Sequence, residues 1–143
     1  MSKILFLFLF VMALGSCSPG KKSENSVKFQ QYFVEGEQLY LQHCSNCHQM
    51  SGKGLGLLYP PLDESDYMDD NLSEVICLIK NGTSGELVVN GKKYNQAMPG
   101  IPSLTNLEIA EIATFIYNSW THEQGIIEIR AVNKMLQECE AGN

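Results

Sequence analysis

The sequence predicts a small all-α domain, interrupted by one short β-hairpin and extended by an extra C-terminal helix. Three observations carry this. Two segments open with helix-capping patterns, Asn71-Leu72-Ser73-Glu74 and Thr105-Asn106-Leu107-Glu108, each followed by apolar residues at helical spacing. Leu87 to Tyr94 alternates instead and breaks at Asn90-Gly91, the favoured two-residue hairpin turn. The third observation is Cys44-Ser45-Asn46-Cys47-His48, which reads as a covalent haem attachment site for the helices to wrap. Two intervening residues let both sulfurs add to vinyl groups on one ring edge, and His48 supplies an axial nitrogen. A Cys-x-x-Cys pair also serves zinc or a redox dithiol. Zinc would need two more ligands, and Cys77, Cys139, His43 and His122 form no second close pair.

The chain has 143 residues, enough for one domain and a tail. Residues 1–16 read as a signal peptide: Lys3 precedes the apolar run Ile4 to Leu14, which is short for a membrane span. Leu14-Gly15-Ser16-Cys17 resembles the lipobox of bacterial lipoproteins. That resemblance implies cleavage before Cys17, a lipid on Cys17, and a periplasmic protein anchored to a bacterial membrane. An ordinary signal peptide or a short uncleaved anchor is the alternative. Residues 17–30, with Pro19-Gly20 and Lys21-Lys22, read as a flexible tether, and residues 31–143 as the haem domain.

Export bears on the five cysteines. With Cys17 assigned to lipid and Cys44 and Cys47 to haem, Cys77 and Cys139 remain. In an oxidising compartment they can form a disulfide; two unrelated buried thiols are the alternative. The net charge of −6 becomes −7 once Lys3 leaves with the signal, before haem propionates add more. Such acidity argues against nucleic acid and favours redox partners with a basic docking patch.

The first helix is expected from about Gln31 to His43, with Phe33, Gly36 and Tyr40 leading to Cys44 on one face. A glycine inside a helix costs stability, so Gly36 points to a close backbone approach. The run Gly36, Tyr40, Cys44, Cys47, His48 resembles the start of a class I monohaem c-type cytochrome, over about Phe33 to Trp120. The resemblance implies that Gly36 and Tyr40 pack on a late-helix aromatic, here Phe115 where tyrosine is usual. It also implies that a proline carbonyl, from Pro60 or Pro61, accepts the second ring N–H of His48. Tyr59 beside them is a candidate to reach a propionate.

The glycines from Ser51 to Gly56 lack the lysine and hydroxyl of a nucleotide loop and are expected to turn the chain close to the porphyrin. Asp63 to Asp70 should hold a short helical turn. The Asn71 helix should bury Val75, Ile76, Leu78 and Ile79 and end at Asn81-Gly82. Met98 is the candidate second axial ligand, because a soft thioether suits iron and Pro99, Gly100 and Pro102 brace its loop. Met50 is too near His48 to cross the ring, Met68 lies in the acidic stretch, and Met135 fits an amphipathic helix. Met-Pro before a capped helix also resembles the sixth-ligand loop of the family. A last helix, about Ile126 to Cys139, places Ile129, Val132, Leu136 and Cys139 on one face and is expected to dock near Cys77. His43 and His122 are expected to face solvent, and Trp120 to be structural.

A haem c with both axial positions filled has no open site for substrate. The expected function is therefore single-electron transfer by an exported, membrane-tethered carrier and not catalysis by the chain alone. A permanent haem subunit of a larger oxidoreductase shares this chemistry. A sensor or peroxidase-like protein, in which the Met98 position is labile, is the other alternative.

Overall fold

The computed structural model describes residues 21–141; the signal segment and Cys17 lie outside them. In chain order the elements are α1 (Lys21–His43), α2 (Ser45–His48), α3 (Asp66–Asp70), α4 (Leu72–Asn81), β1 (Gly82–Thr83), β2 (Leu87–Val89), β3 (Lys92–Tyr94), β4 (Met98–Pro99), α5 (Asn106–Ile116) and α6 (Ile129–Ala141). Among the described residues the architecture is all-α with two minimal antiparallel ladders.

Helix α1 crosses α5 at Gly36. A Cβ built there would lie 2.0 Å from the Glu111 carbonyl oxygen and 2.9 Å from the Phe115 Cβ, so only hydrogen fits. Phe115 meets Phe33 and Tyr40 with ring centroids 5.1 and 5.3 Å apart, tilted as aromatic pairs prefer. The helix starts ten residues before the expected Gln31, so much of the segment read as a tether is helical. Its added turns are held by the Lys28–Glu128 ion pair and by Phe29 stacked on Phe33.

Thr105 and Glu108 form the complete capping box of α5. The expected box at Asn71 does not form. Asn71 caps α4 without a side-chain bond to that helix, because its amide donates back to the Tyr67 carbonyl in α3. Val75, Ile76 and Ile79 are buried as their spacing requires. The hairpin β2–β3 pairs Leu87 with Tyr94, and its turn residues Asn90 and Gly91 both have positive φ. That is the geometry matching the twist of the strands. Asn90 is pinned to α3 by reciprocal bonds with Asp66, 2.7 and 3.0 Å long.

The second ladder has no alternating pattern in its sequence: β1 follows α4 directly and pairs Gly82 with Pro99 and Thr83 with Met98. The last helix begins at Ile129, three residues later than expected. The hydroxyl of buried Thr114 accepts from the Ile127 N–H at 3.0 Å, which keeps that stretch extended. Val132 and Leu136 are buried where α6 packs on α4 and α5. A disulfide joins Cys77 on α4 to Cys139 on α6, with Cα atoms 6.1 Å apart. Among the described residues no helix is long and apolar enough to cross a membrane.

Candidate haem site

The C-terminus of α1 delivers Cys44, whose N–H still donates to the Tyr40 carbonyl. The next turn, α2, brings His48 round onto the cavity that Cys44 lines and Cys47 onto an adjoining one. Neither cysteine is engaged in a disulfide, in contrast to Cys77 and Cys139. Burial and the charge of Cys47 push the Cys44 thiol up to about 12. The Tyr59 hydroxyl lies against Cys47, whose hydrogen bond raises the phenol's pKa.

His48 is buried, and its Nδ1 lies 3.0 Å from the Pro60 carbonyl oxygen. A carbonyl only accepts, so Nδ1 carries the hydrogen and Nε2 keeps its lone pair for a metal. Of the two prolines, Pro60 is the partner. Burial lowers the His48 pKa, with the Pro60 bond opposing it, so the ring is kept in the neutral form that ligation requires.

The cavity opposite Cys44 and His48 is almost wholly apolar, walled by Pro61, Leu62, Leu78, Ile79, Ile112 and Met98. A second cavity shares His48, Pro60, Leu78, Leu87 and Met98 and opens past Cys47 and Tyr59. The hairpin supplies part of both walls through Leu87, Val89 and Tyr94, a role its sequence did not signal. Among the described residues one buried side-chain polar atom, the Tyr67 hydroxyl in this wall, has no hydrogen bond. Burial and nearby Glu74 raise its pKa. A planar apolar group bearing carboxylates would fill the cavity and offer acceptors, so the residues present fit a haem. Among the described residues no cluster of three or more His, Cys, Asp or Glu could hold a metal instead.

Two methionines, not one, line the first cavity. Met68 is 2% exposed and sits on α3, so its acidic surroundings in sequence did not exclude it from the wall. Met98 is half-buried in β4 and lines both cavities with His48.

Protein neighbours hold two glycines of the loop in tight turns. A Cβ on Gly52 would lie 2.7 Å from the Trp120 ring, and one on Gly54 2.2 Å from the Tyr59 carbonyl oxygen. Trp120 also donates to the Met50 carbonyl and stacks edge-on with Tyr40, which locks the loop to the α5 end. His122 departs from expectation too. Its side chain is 8% exposed, with Nε2 2.8 Å from the Leu62 carbonyl and Nδ1 3.2 Å from Asp69. It is a brace between segments. His43 is half-buried at the end of α1.

The Cytochrome c family model matches residues 33–120. Cytochrome c-552 of Thermus thermophilus is 30% identical over 93 residues, covering 61% of this chain and 69% of that protein. A second cytochrome c-552 of the same species is 30% identical over a stretch covering 61% of its length. The cytochrome c subunit of the quinone alcohol dehydrogenase of Gluconacetobacter polyoxogenes is 30% identical over 106 residues, covering 71% of this chain and 22% of that subunit.

Proposed function

The chain belongs to the cytochrome c family and carries one covalently bound haem c, and from that premise we propose an exported, membrane-tethered electron carrier ligated by His48 and Met98. Bound haem c supplies a one-electron iron couple; the chain decides what else the iron can do. Cys44 and Cys47 would hold the ring covalently. His48 would bind through Nε2, its plane held by Pro60, and such outer bonding strengthens the imidazole as a donor. The observation that carries the second ligand is that Met98 stands with His48 in the walls of both cavities, on a loop hydrogen-bonded to β1. Met68 is held inside a helix whose own N–H and carbonyl are engaged by Ser65 and Tyr117. With His48 and Met98 both holding the iron, walls of this apolarity would exclude water and favour electron transfer over catalysis.

Tethering rests on Cys17 and its preceding segment. A single acyl chain holds only marginally, so the several chains of a bacterial lipoprotein are what would confine the protein to a membrane. Similarity to one stretch of a dehydrogenase subunit favours a second reading, a haem subunit docked in a larger oxidoreductase.

The ferric absorption spectrum tests the ligand set. Met98→Ala should abolish the far-red Met–iron charge-transfer band, and Met68→Leu should retain it. The reverse result would move the ligand to α3. Metabolic labelling with a radiolabelled fatty acid tests the anchor: label lost in Cys17→Ser supports it, and label retained or never present overturns it. Pull-down from detergent-solubilised membranes separates carrier from subunit.

A further inference from the structure

Helix α4 connects the haem wall, the Met98 loop and the C-terminal helix. Its inner face contributes Val75, Leu78 and Ile79 to the cavity. Its C-terminal end holds the Met98 loop by main-chain contacts. Thr83 pairs with Met98, Gly82 pairs with Pro99, and the Ile101 N–H donates to the Ile79 carbonyl at 3.0 Å. A Cβ on Gly82 would lie 2.4 Å from the Gly100 nitrogen, and one on Gly100 would lie 2.3 Å from the Asn81 carbonyl carbon. The two backbones therefore touch. Lys80 fastens the downstream side, donating to the Pro102 and Leu104 carbonyls at 2.9 and 2.7 Å. Displacing the end of α4 displaces Met98 with it.

The far side of α4 is covered by α6. Cys77 is bonded to Cys139, Val132 and Leu136 are buried, and Asn133 accepts from Asn106 of α5 at 2.7 Å. Helix α6 lies wholly outside residues 33–120, the part matched by the family model. A ten-residue helix such as α4 is too short to persist on its own propensity and depends on packing. A crosslink between residues 62 apart in sequence removes the states in which α6 has left α4.

We propose that α6, crosslinked through Cys77 and Cys139, positions Met98 at the iron by holding α4. This rests on the reading of Met98 as an axial ligand. Met98 binds as a neutral thioether and competes with any added nitrogen donor, so loosening α4 converts directly into easier displacement.

The test uses the full haem-loaded ferric chain and titration with imidazole. In the Cys77→Ser, Cys139→Ser double variant, imidazole affinity should rise about tenfold, within the ordinary range of coupling between linked sites. Far-UV circular dichroism should be unchanged. The same rise should follow in the unsubstituted protein after a small-molecule dithiol cleaves the bond. That step frees two thiols as the dithiol closes to its own disulfide; iodoacetamide then caps them and ferricyanide returns the iron to ferric. This arm decides the matter if the double variant does not fold. In Met98→Ala, removing the disulfide should leave imidazole affinity unchanged, because no ligand remains to displace. Unchanged affinity in the disulfide-free protein, or an equal rise in the Met98→Ala background, overturns the proposal. If Met98→Ala keeps the far-red band with the disulfide intact, the ligand reading itself has failed.

Discussion

Thr83 and Met98 face each other across a two-residue antiparallel ladder, so the candidate iron ligand is paired to the second residue beyond α4. The contact is possible because Gly82 and Gly100 carry no side chains where the strands cross. Gly100→Ala would set a methyl group 2.3 Å from the Asn81 carbonyl carbon and force the loop away. The expected outcome is a weakened far-red Met–iron band with haem attachment intact, read by absorption spectroscopy and mass measurement.

Gly36→Ala tests the crossing of α1 and α5. The new Cβ would meet the Glu111 carbonyl at 2.0 Å, and backbone on a buried helix cannot give way cheaply. Overpacking of this kind costs roughly 1–3 kcal/mol or more. Denaturant unfolding should show a lower midpoint at unchanged slope.

Tyr40→Phe removes the hydroxyl that donates to the Gln49 carbonyl at 2.6 Å, just after the haem-binding turn. Tyr40 is fully buried, so the carbonyl is left without this partner. A loss of about 1–2 kcal/mol is expected in denaturant unfolding of the loaded protein. No loss would mean that the Gly52 N–H, which also donates to this carbonyl, suffices to hold the turn.

Thr105→Ala should cost about 1 kcal/mol, the usual worth of an N-cap hydroxyl. The pH dependence has a definite sign. Glu108 accepts from the Thr105 N–H and hydroxyl, which lower its pKa below the ordinary 4.5. A carboxylate depressed in the fold stabilises above its unfolded pKa and loses that contribution as pH falls through the folded one. Thermal unfolding should show this acid-side loss in the unsubstituted protein and a smaller one in Glu108→Gln.

Much of the site was legible because its chemistry is local. Cys44, Cys47 and His48 lie within one turn of chain, and a Thr-x-x-Glu box or an Asn-Gly turn is decided by residues in contact through the backbone. Where reading failed, the deciding partner was distant. The Ile126 stretch was kept extended by Thr114, and helix before Gln31 was secured by Glu128. His122 was misjudged on its neighbours in sequence, whereas Leu62 and Asp69 hold it.

The sequence by itself determined the cofactor, the helix that leads to it and the order of the elements, since attachment, capping and helical spacing are short-range. Only the tertiary structure decided that Pro60 orients His48, that the hairpin walls the cavity, and that the end of α4 carries Met98. Those relations join residues 12 or more apart in sequence through carbonyls, apolar surfaces and missing side chains. No local pattern records them, because any residue can offer its backbone and only the fold chooses which one is met.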